Sequence, residues 1–279
     1  MSMHEPILVQ KASGEKEAFS AQKLRGSLRN AGADETTIAK IVTDVENWLF
    51  TGVTTKKIYG RAFLLLRKFT DSEGIPYKLK QAILELGPSG YPFETLIGQL
   101  FKKQGYKTEV GIVVDGHCVT HEMDVIATIN DTQHLTECKY SKHQGKQISV
   151  QVPLYVRSRV NDIVKKRRTM EKYRNLNYTG WVITNTRFSD DSLQYGTCSG
   201  LKLLGWDYPA GKGLKTLIEQ YKIYPITILT NLTKQHKQTL LKKNIVCCNQ
   251  LKENLDVLHE FKFTKRRVSK LTKELNELC

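Results

Sequence analysis

At 279 residues the chain has room for about two domains, each with a core of its own. A formal net charge of +15 favours a polyanionic partner, or an anionic membrane surface. No run of about 18 apolar residues exists, which excludes a spanning helix. The opening MSMHEPILVQ lacks the basic-then-apolar pattern of a secretory leader. The six cysteines form no CxxC pair, which argues against a zinc ribbon and fits reduced thiols in a cytoplasm. Residues 223–279 are the most basic for their length, with 11 Lys+Arg against 5 Asp+Glu.

In chain order, 7–11 and 17–19 read as two short strands around a Ser13-Gly14 turn. Ser20 then stands as N-cap to a helix whose Leu24 and Leu28 lie one turn apart and which Gly32 ends. Asp34 or Thr36 starts a second helix with Ile38, Ile41, Val42, Val45 and Leu49 as its apolar stripe. Thr54 or Thr55 caps a third, and a fourth runs near 76–86. The order V-x-K-x-x-G-x-x-x-x-F-S-x-x-K-L-x-x-S-L, with G-V-T-T-x-x-I at 52–58, resembles the ATP-cone, a small nucleotide-sensing domain. The resemblance covers about residues 5–88. It implies ATP or dATP as an allosteric ligand, with Lys11 and Lys23 on the phosphates and Val9, Glu17, Ser20 and Thr55 around base and sugar. Ser20 departs from the Asn that cones of reductases often carry. No Walker A sequence is present, so a nucleotide here is a regulator rather than a fuel.

Gly87-Pro88-Ser89-Gly90 reads as a linker. After it comes an amphipathic helix, YPFETLIGQLFKKQGY, with Glu94 on its first turn and Gly105 past its end. A strand, 107–114, turns at Asp115-Gly116 into the stretch HEMDVIATINDTQHLTECKY. A two-residue turn at Asn130-Asp131 sets Asp124 opposite Glu137, with Lys139 on the face of Glu137. Facing carboxylates repel, and a hard divalent cation such as Mg2+ (or Mn2+) between them turns that cost into a binding site. Glu122 is set aside as facing away from Asp124, and His121 as a structural histidine.

Asp124 followed by Glu137-Cys138-Lys139 resembles the core of the PD-(D/E)XK nucleases, and the whole of about 90–210 resembles their Mrr-type restriction branch. That branch carries an acid on the first helix and Gln-x-x-x-Tyr after Glu-x-Lys, here Glu94 and Gln151 with Tyr155. The resemblance implies a mixed-sheet α/β fold and a catalytic set of Glu94, Asp124, Glu137, Lys139 and Gln151. Asp124 and Glu137 would hold the metal with help from Glu94. The following helix is rich in Arg and Lys from Arg157 to Arg174, a backbone-binding face beside a phosphodiester site. Thr184-Asn185 closes a buried strand, and a helix and a last strand, 201–206, follow.

The tail, from Tyr224-Pro225, reads as three helices capped by Thr233, by Asn249, and before KRRVSKLTKELNEL. They suit either a grip on a DNA backbone or a packing or dimerisation module. The expected organisation is therefore α/β (α+β): a hairpin-plus-helices cone at 1–88, a PD-(D/E)XK core at 89–222 and a basic helical region at 223–279. The function expected is a nucleotide-regulated, metal-dependent DNA endonuclease in the cytoplasm, a homodimer or higher oligomer away from membranes. Two alternatives stand: a nucleotide-responsive DNA-binding regulator without turnover, and a nuclease that repairs or resolves branched DNA.

Overall fold

The computed structural model describes residues 7–11, 13–30, 33–69, 79–143 and 145–279. Gly32 and the first residues of the fourth expected helix lie outside them.

The chain opens with a small antiparallel hairpin, β1 (Leu8–Gln10) and β2 (Lys16–Ala18), followed by α1 (Ala21–Asn30), α2 (Glu35–Trp48) and α3 (Thr55–Phe69). The caps are the ones expected: Ser20 Oγ accepts from Lys23 N, and Asp34 Oδ1 from Thr37 N. Thr54, rather than Thr55, caps α3 by accepting from Lys57 N. Leu24, Leu28, Ile38, Ile41, Val42 and Val45 close one core with Val9 and Val53.

α4 (Leu79–Leu84) leaves that core. Its Leu79, Ala82 and Ile83 pack with α5 (Tyr91–Lys103), the main sheet and the tail. The main sheet has five strands in the order β3 (Lys107–Asp115), β4 (Thr120–Ile129), β5 (Thr132–Lys139), β7 (Asn177–Thr184) and β9 (Lys202–Leu204). The first three are antiparallel, and β5, β7 and β9 run parallel. The crossovers hold α6 (Gln151–Arg167) and α7 (Asp190–Cys198), plus a side pair of two-residue strands, β6 (Gln147–Ile148) and β8 (Arg187–Phe188). α5 covers one face, with Phe93, Leu96, Ile97 and Leu100 buried. α6 covers the other through Val156, Val160 and Ile163. This is the mixed α/β sheet expected of the chain.

Two local geometries differ from simple expectation. The β3–β4 hairpin turns not at Asp115-Gly116 but through residues 116–119, since Asp115 pairs with Thr120. Gly116 is tightly enclosed: a Cβ there would stand 2.5 Å from Val119 O and 2.0 Å from Asp162 Oδ2. In the middle of the same ribbon, Gly111 has φ +63°. On one side of it Val110 and Val125 pack toward α5; on the other Ile112 and Met123 pack toward α6. The ribbon turns its faces over at Gly111, and Asp124 lies beside that point.

The tail adds α8 (Leu214–Tyr221), a 3₁₀ turn at Ile226–Ile228, α9 (Lys234–Lys242), α10 (Cys248–Glu253), a 3₁₀ helix at Leu255–Phe261 and α11 (Lys265–Leu278). Thr233 caps α9 as expected. The N-cap of α10 is Cys247, not Asn249, and Gln250 Oε1 accepts there from the Val246 and Cys247 amides. Leu271, Leu275 and Leu278 of α11 join the core of α5. Among the described residues no helix is long and apolar enough to cross a membrane.

Candidate active site

The β4–β5 hairpin has the register its sequence implied. Asn130 (φ +49°) and Asp131 make the turn, and pairs run from Ile129 with Thr132 to Val125 with Thr136. The ladder stops one pair short of Asp124 and Glu137. There the Asp124 carboxylate takes the place of a backbone acceptor: its Oδ2 receives the Cys138 amide at 2.6 Å. The turnover at Gly111 and the strand parting at Asp124 put this carboxylate at the sheet's active end.

Glu137 is buried, at 4 % exposure, yet both its oxygens are engaged. Lys139 Nζ lies 2.7 Å from Oε1 and the Tyr155 hydroxyl donates to the same oxygen at 2.8 Å. Arg159 donates to Oε2 at 2.5 Å. Burial works against the Lys139 ammonium, but its hydrogen bond to Glu137 overrides that and holds its pKa above the usual lysine range. Burial, helped by the Glu137 charge, pushes Tyr155 up to about 12. Both stay protonated at neutral pH.

Among the described residues no ion pair reaches Asp124 or Glu94, although Lys139 lowers the pKa of both from a distance. Burial pushes Asp124 up to about 6, and the Glu137 charge adds to it. Glu94 on the first turn of α5 rises to about 7, first by burial and then by the charges of Asp124, Glu122 and Glu137. Glu122, set aside from the sequence, thus belongs to the field of the site although its side chain is exposed. Groups shifted this far in one place mark functional sites more often than structural ones.

Among the described residues no three of His, Cys, Asp and Glu stand close enough to enclose an ion by themselves. Mg2+ does not need three: it keeps several waters and takes one or two carboxylates plus substrate phosphate. The donor set fits such an ion. Burial, and then the neighbouring carboxylates, penalise the charged forms of Asp124 and Glu94, a cost that a dication relieves. The Cys138 amide takes only one of the two Asp124 oxygens, Oδ2.

Gln151 is not brought to the cluster. It opens α6 with an exposed side chain, and no hydrogen bond ties it to the carboxylates among the described residues. Tyr155 and Arg159, one and two turns on, are the α6 residues that reach Glu137. Arg159 is hidden in the basic run, although the i, i+4 spacing Gln151, Tyr155, Arg159 puts all three on one side of the helix.

Thr184-Asn185 fixes the end of β5. The Thr184 hydroxyl donates to Lys139 O at 2.7 Å, and the Asn185 amide brackets the Ser141 N–H and C=O, each at 2.8 Å. Lys80 of α4 donates to Asn185 O at 2.5 Å, 4.2 Å from the Trp206 ring centroid. Burial lowers its pKa to about 8. His121 is structural in a specific way: with the Cys118 amide it holds Asp162 of α6, at 2.8 and 2.9 Å, and so anchors the β3–β4 loop.

In the N-terminal unit, Lys11 and Lys23 converge on Glu17, at 3.0 and 3.2 Å. Val9 is buried at 3 % exposure and offers only backbone. Ser20 is occupied as a cap, and Thr55 opens α3 close to where Gln10 bridges Thr54.

A family model described as restriction endonuclease matches residues 87–207, and one described as AF1548-like, C-terminal, matches 224–279. An Archaeoglobus fulgidus relative, described as an uncharacterized protein, is 30% identical over 155 residues, which are 56% of this chain and 83% of the relative. The chain belongs to the AF1548-like family. The crystal structure of AF1548, a protein of unknown function, superposes with TM-score 0.55 and 26% identity over 68% of this AF1548-like chain and 98% of that one. The MspJI restriction endonuclease in complex with a 27-mer oligonucleotide superposes at TM-score 0.33 and 13% identity, over 71% of this chain and 40% of that one, too loosely to support anything further. The AF1548-like chain thus carries a restriction endonuclease domain with the Asp124–Glu137–Lys139 cluster inside it. Neither family model reaches its first 86 residues.

Proposed function

We propose that this AF1548-like protein is a divalent-metal-dependent endodeoxyribonuclease, cytoplasmic and acting as a homodimer or larger oligomer, whose N-terminal unit is an ATP-cone that binds an adenine nucleotide. The observation that carries the nuclease reading is the gathering of Asp124, Glu137 and Lys139 at one sheet end, with Glu94 facing them. Asp124 and Glu137, with help from Glu94, would hold a Mg2+ or Mn2+ ion, which would supply Lewis-acid stabilisation to a phosphodiester. Lys139 stays charged and neutralises developing negative charge on a phosphate oxygen. Glu94, poised near neutral pH, accepts or returns a proton there. Tyr155 and Arg159 orient Glu137; Gln151 would have to swing in to contribute. The proposed division is a cone at 1–88, a nuclease core at 89–222 and a basic helical region at 223–279.

Supercoiled plasmid incubated with Mg2+ or Mn2+ is expected to be nicked or linearised by wild type and left intact by Asp124→Ala. ATP or dATP is expected to change the rate. Removing a phosphate-binding ammonium in Lys11→Ala should weaken nucleotide binding by about 10-fold or more in calorimetry and abolish the rate effect.

One observation favours a second reading, a nucleotide-responsive DNA-binding regulator. Lys139, Tyr155 and Arg159 already occupy both oxygens of Glu137. Tight binding of plasmid and of four-way junctions, with neither cut under any of these conditions, would select it. Cleavage confined to the junctions would select a branched-DNA nuclease.

A further inference from the structure

Past Tyr155, α6 has an outer face that neither the fold nor the cluster uses. Tyr155, Ser158, Asn161, Lys165 and Arg168 are spaced by three or four residues and are all exposed, so they form one line along the helix. The line bears no acid. Asp162, the acid of this helix, is turned away and held by the Cys118 amide and His121. The line starts at the hydroxyl that touches Glu137. It ends 13 residues later, about 20 Å away at 1.5 Å per residue.

Beyond that end the positive charge thickens. Residues 165–174 hold six Lys and Arg against Glu171 alone. The guanidinium of Arg168 lies 5.2 Å from the Tyr178 ring centroid and donates to Arg174 O, which orders both the side chain and the connection after α6. Lys172 sits 5.0 Å from the Tyr173 ring, on whose other contact, at 4.7 Å, Arg167 is buried. This pole lies where β5 and β7 begin, Thr132 beside Asn177, whereas the carboxylate cluster lies where they end, Lys139 beside Thr184. Of the acids nearby, Asp131 is engaged by Asn177 Nδ2 at 3.1 Å, and Glu109 faces Arg167.

Hydroxyl and amide donors followed by ordered cations, with Glu171 the single acid against six Lys and Arg at 165–174, suit a phosphate backbone better than a protein surface. About 20 Å corresponds to about six base pairs at 3.4 Å each. We propose that the outer face of α6 and the connection at 168–174 form a track for duplex DNA, anchoring its backbone about six base pairs from the position held at Asp124 and Glu137. The proposal rests on the nuclease reading for what happens at the near end, but the track itself requires only binding.

The test is therefore run without turnover. Full-length protein in EDTA is titrated against a fluorescein-labelled 30-base-pair duplex by anisotropy at several salt concentrations. The variant Lys165→Gln/Arg168→Gln/Lys172→Gln is compared with wild type and with Lys212→Gln/Lys252→Gln/Lys270→Gln, which removes equal charge from exposed positions elsewhere. The track variant is expected to bind about 10-fold or more weakly at moderate salt. The slope of log K against log salt should fall by about 2 to 3, near 0.9 for each phosphate no longer neutralised. The control triple should keep the wild-type slope. An unchanged slope in the track variant, an equal change in the control, or no duplex binding by wild type overturns the proposal. Should Asp124→Ala and wild type both fail to cut plasmid while the slope still falls as expected, the nuclease reading fails and the track stands.

Discussion

Asp124→Asn is expected to stop cleavage, by about 10³-fold or more, and at the same time to make the metal-free protein more stable at pH 8. The reason is the burial of this carboxylate, to which the charge of Glu137 adds. Asp124 in the folded chain titrates near 6, above the ordinary aspartate range, chiefly through burial. The folded state therefore binds a proton more tightly than the unfolded state. Stability falls as pH rises from about 4 through about 6, and the penalty is fully present above that. A pKa raised by about 2 corresponds to about 3 kcal/mol, part of it shared with Glu94 and Glu137, so a gain of about 2 kcal/mol is expected from the amide. Asn keeps an oxygen to accept from the Cys138 amide, so the hairpin end is retained. At pH 4 the advantage disappears. Added Mg2+ should raise the melting temperature of wild type at pH 8 and leave that of Asp124→Asn unmoved. Thermal unfolding at pH 4 and pH 8, in EDTA and in Mg2+, reads all of this. A variant less stable than wild type at pH 8 in EDTA would show that the carboxylates are not in conflict.

Glu274→Ala is expected to unfold the tail at a much lower temperature, with no direct contact to the cluster. Glu274 is buried at 4 % exposure on α11 and accepts four hydrogen bonds: the Thr230 amide and hydroxyl at 2.5 and 2.8 Å, and the Asn231 amide and side chain at 3.2 and 2.8 Å. Arg267 of the same helix donates twice to Asn231 O. One carboxylate thus ties the loop before α9 to the last helix. Its removal strands several donors and costs about 3 kcal/mol, roughly 6–10 °C in melting temperature. Calorimetry of the full chain decides it; a change under about 2 °C would mean that water replaces the carboxylate at little cost.

What is legible in the sequence divides along a physical line. Local chemistry was legible. Ser20, Asp34 and Thr233 cap the helices they precede, and the two-residue turn at Asn130 sets the pairing of Val125 with Thr136. The apolar stripe of α5 marked its buried face, Phe93, Leu96, Ile97, Leu100 and Phe101. Features that need a backbone out of its usual basin, or a partner far along the chain, were not. Nothing in a two-residue period reveals that Gly111 turns the ribbon over beside Asp124. The 116–119 loop is shaped by Asp162, more than forty residues away, and not by the Asp-Gly pair. Arg159 was hidden by its neighbours: in a run of cations, its hydrogen bond to Glu137, a partner 22 residues back, is what distinguishes it. Gln151 shows the reverse, a motif residue whose spacing is met and whose side chain points to solvent.

α4 bears on how this chain could ever be divided. Three stitches leave its six residues: Lys80 to Asn185 O, Leu84 O from the Tyr140 hydroxyl at 2.8 Å, and Ala82 O from the buried Thr227 at 2.6 Å. The restriction endonuclease match begins just after it, at residue 87. A boundary drawn there would remove Leu79, Ala82 and Ile83 from the larger core. Helix α4 is therefore bound to the restriction endonuclease domain and to the tail alike, so a fragment meant to keep both must start before residue 79.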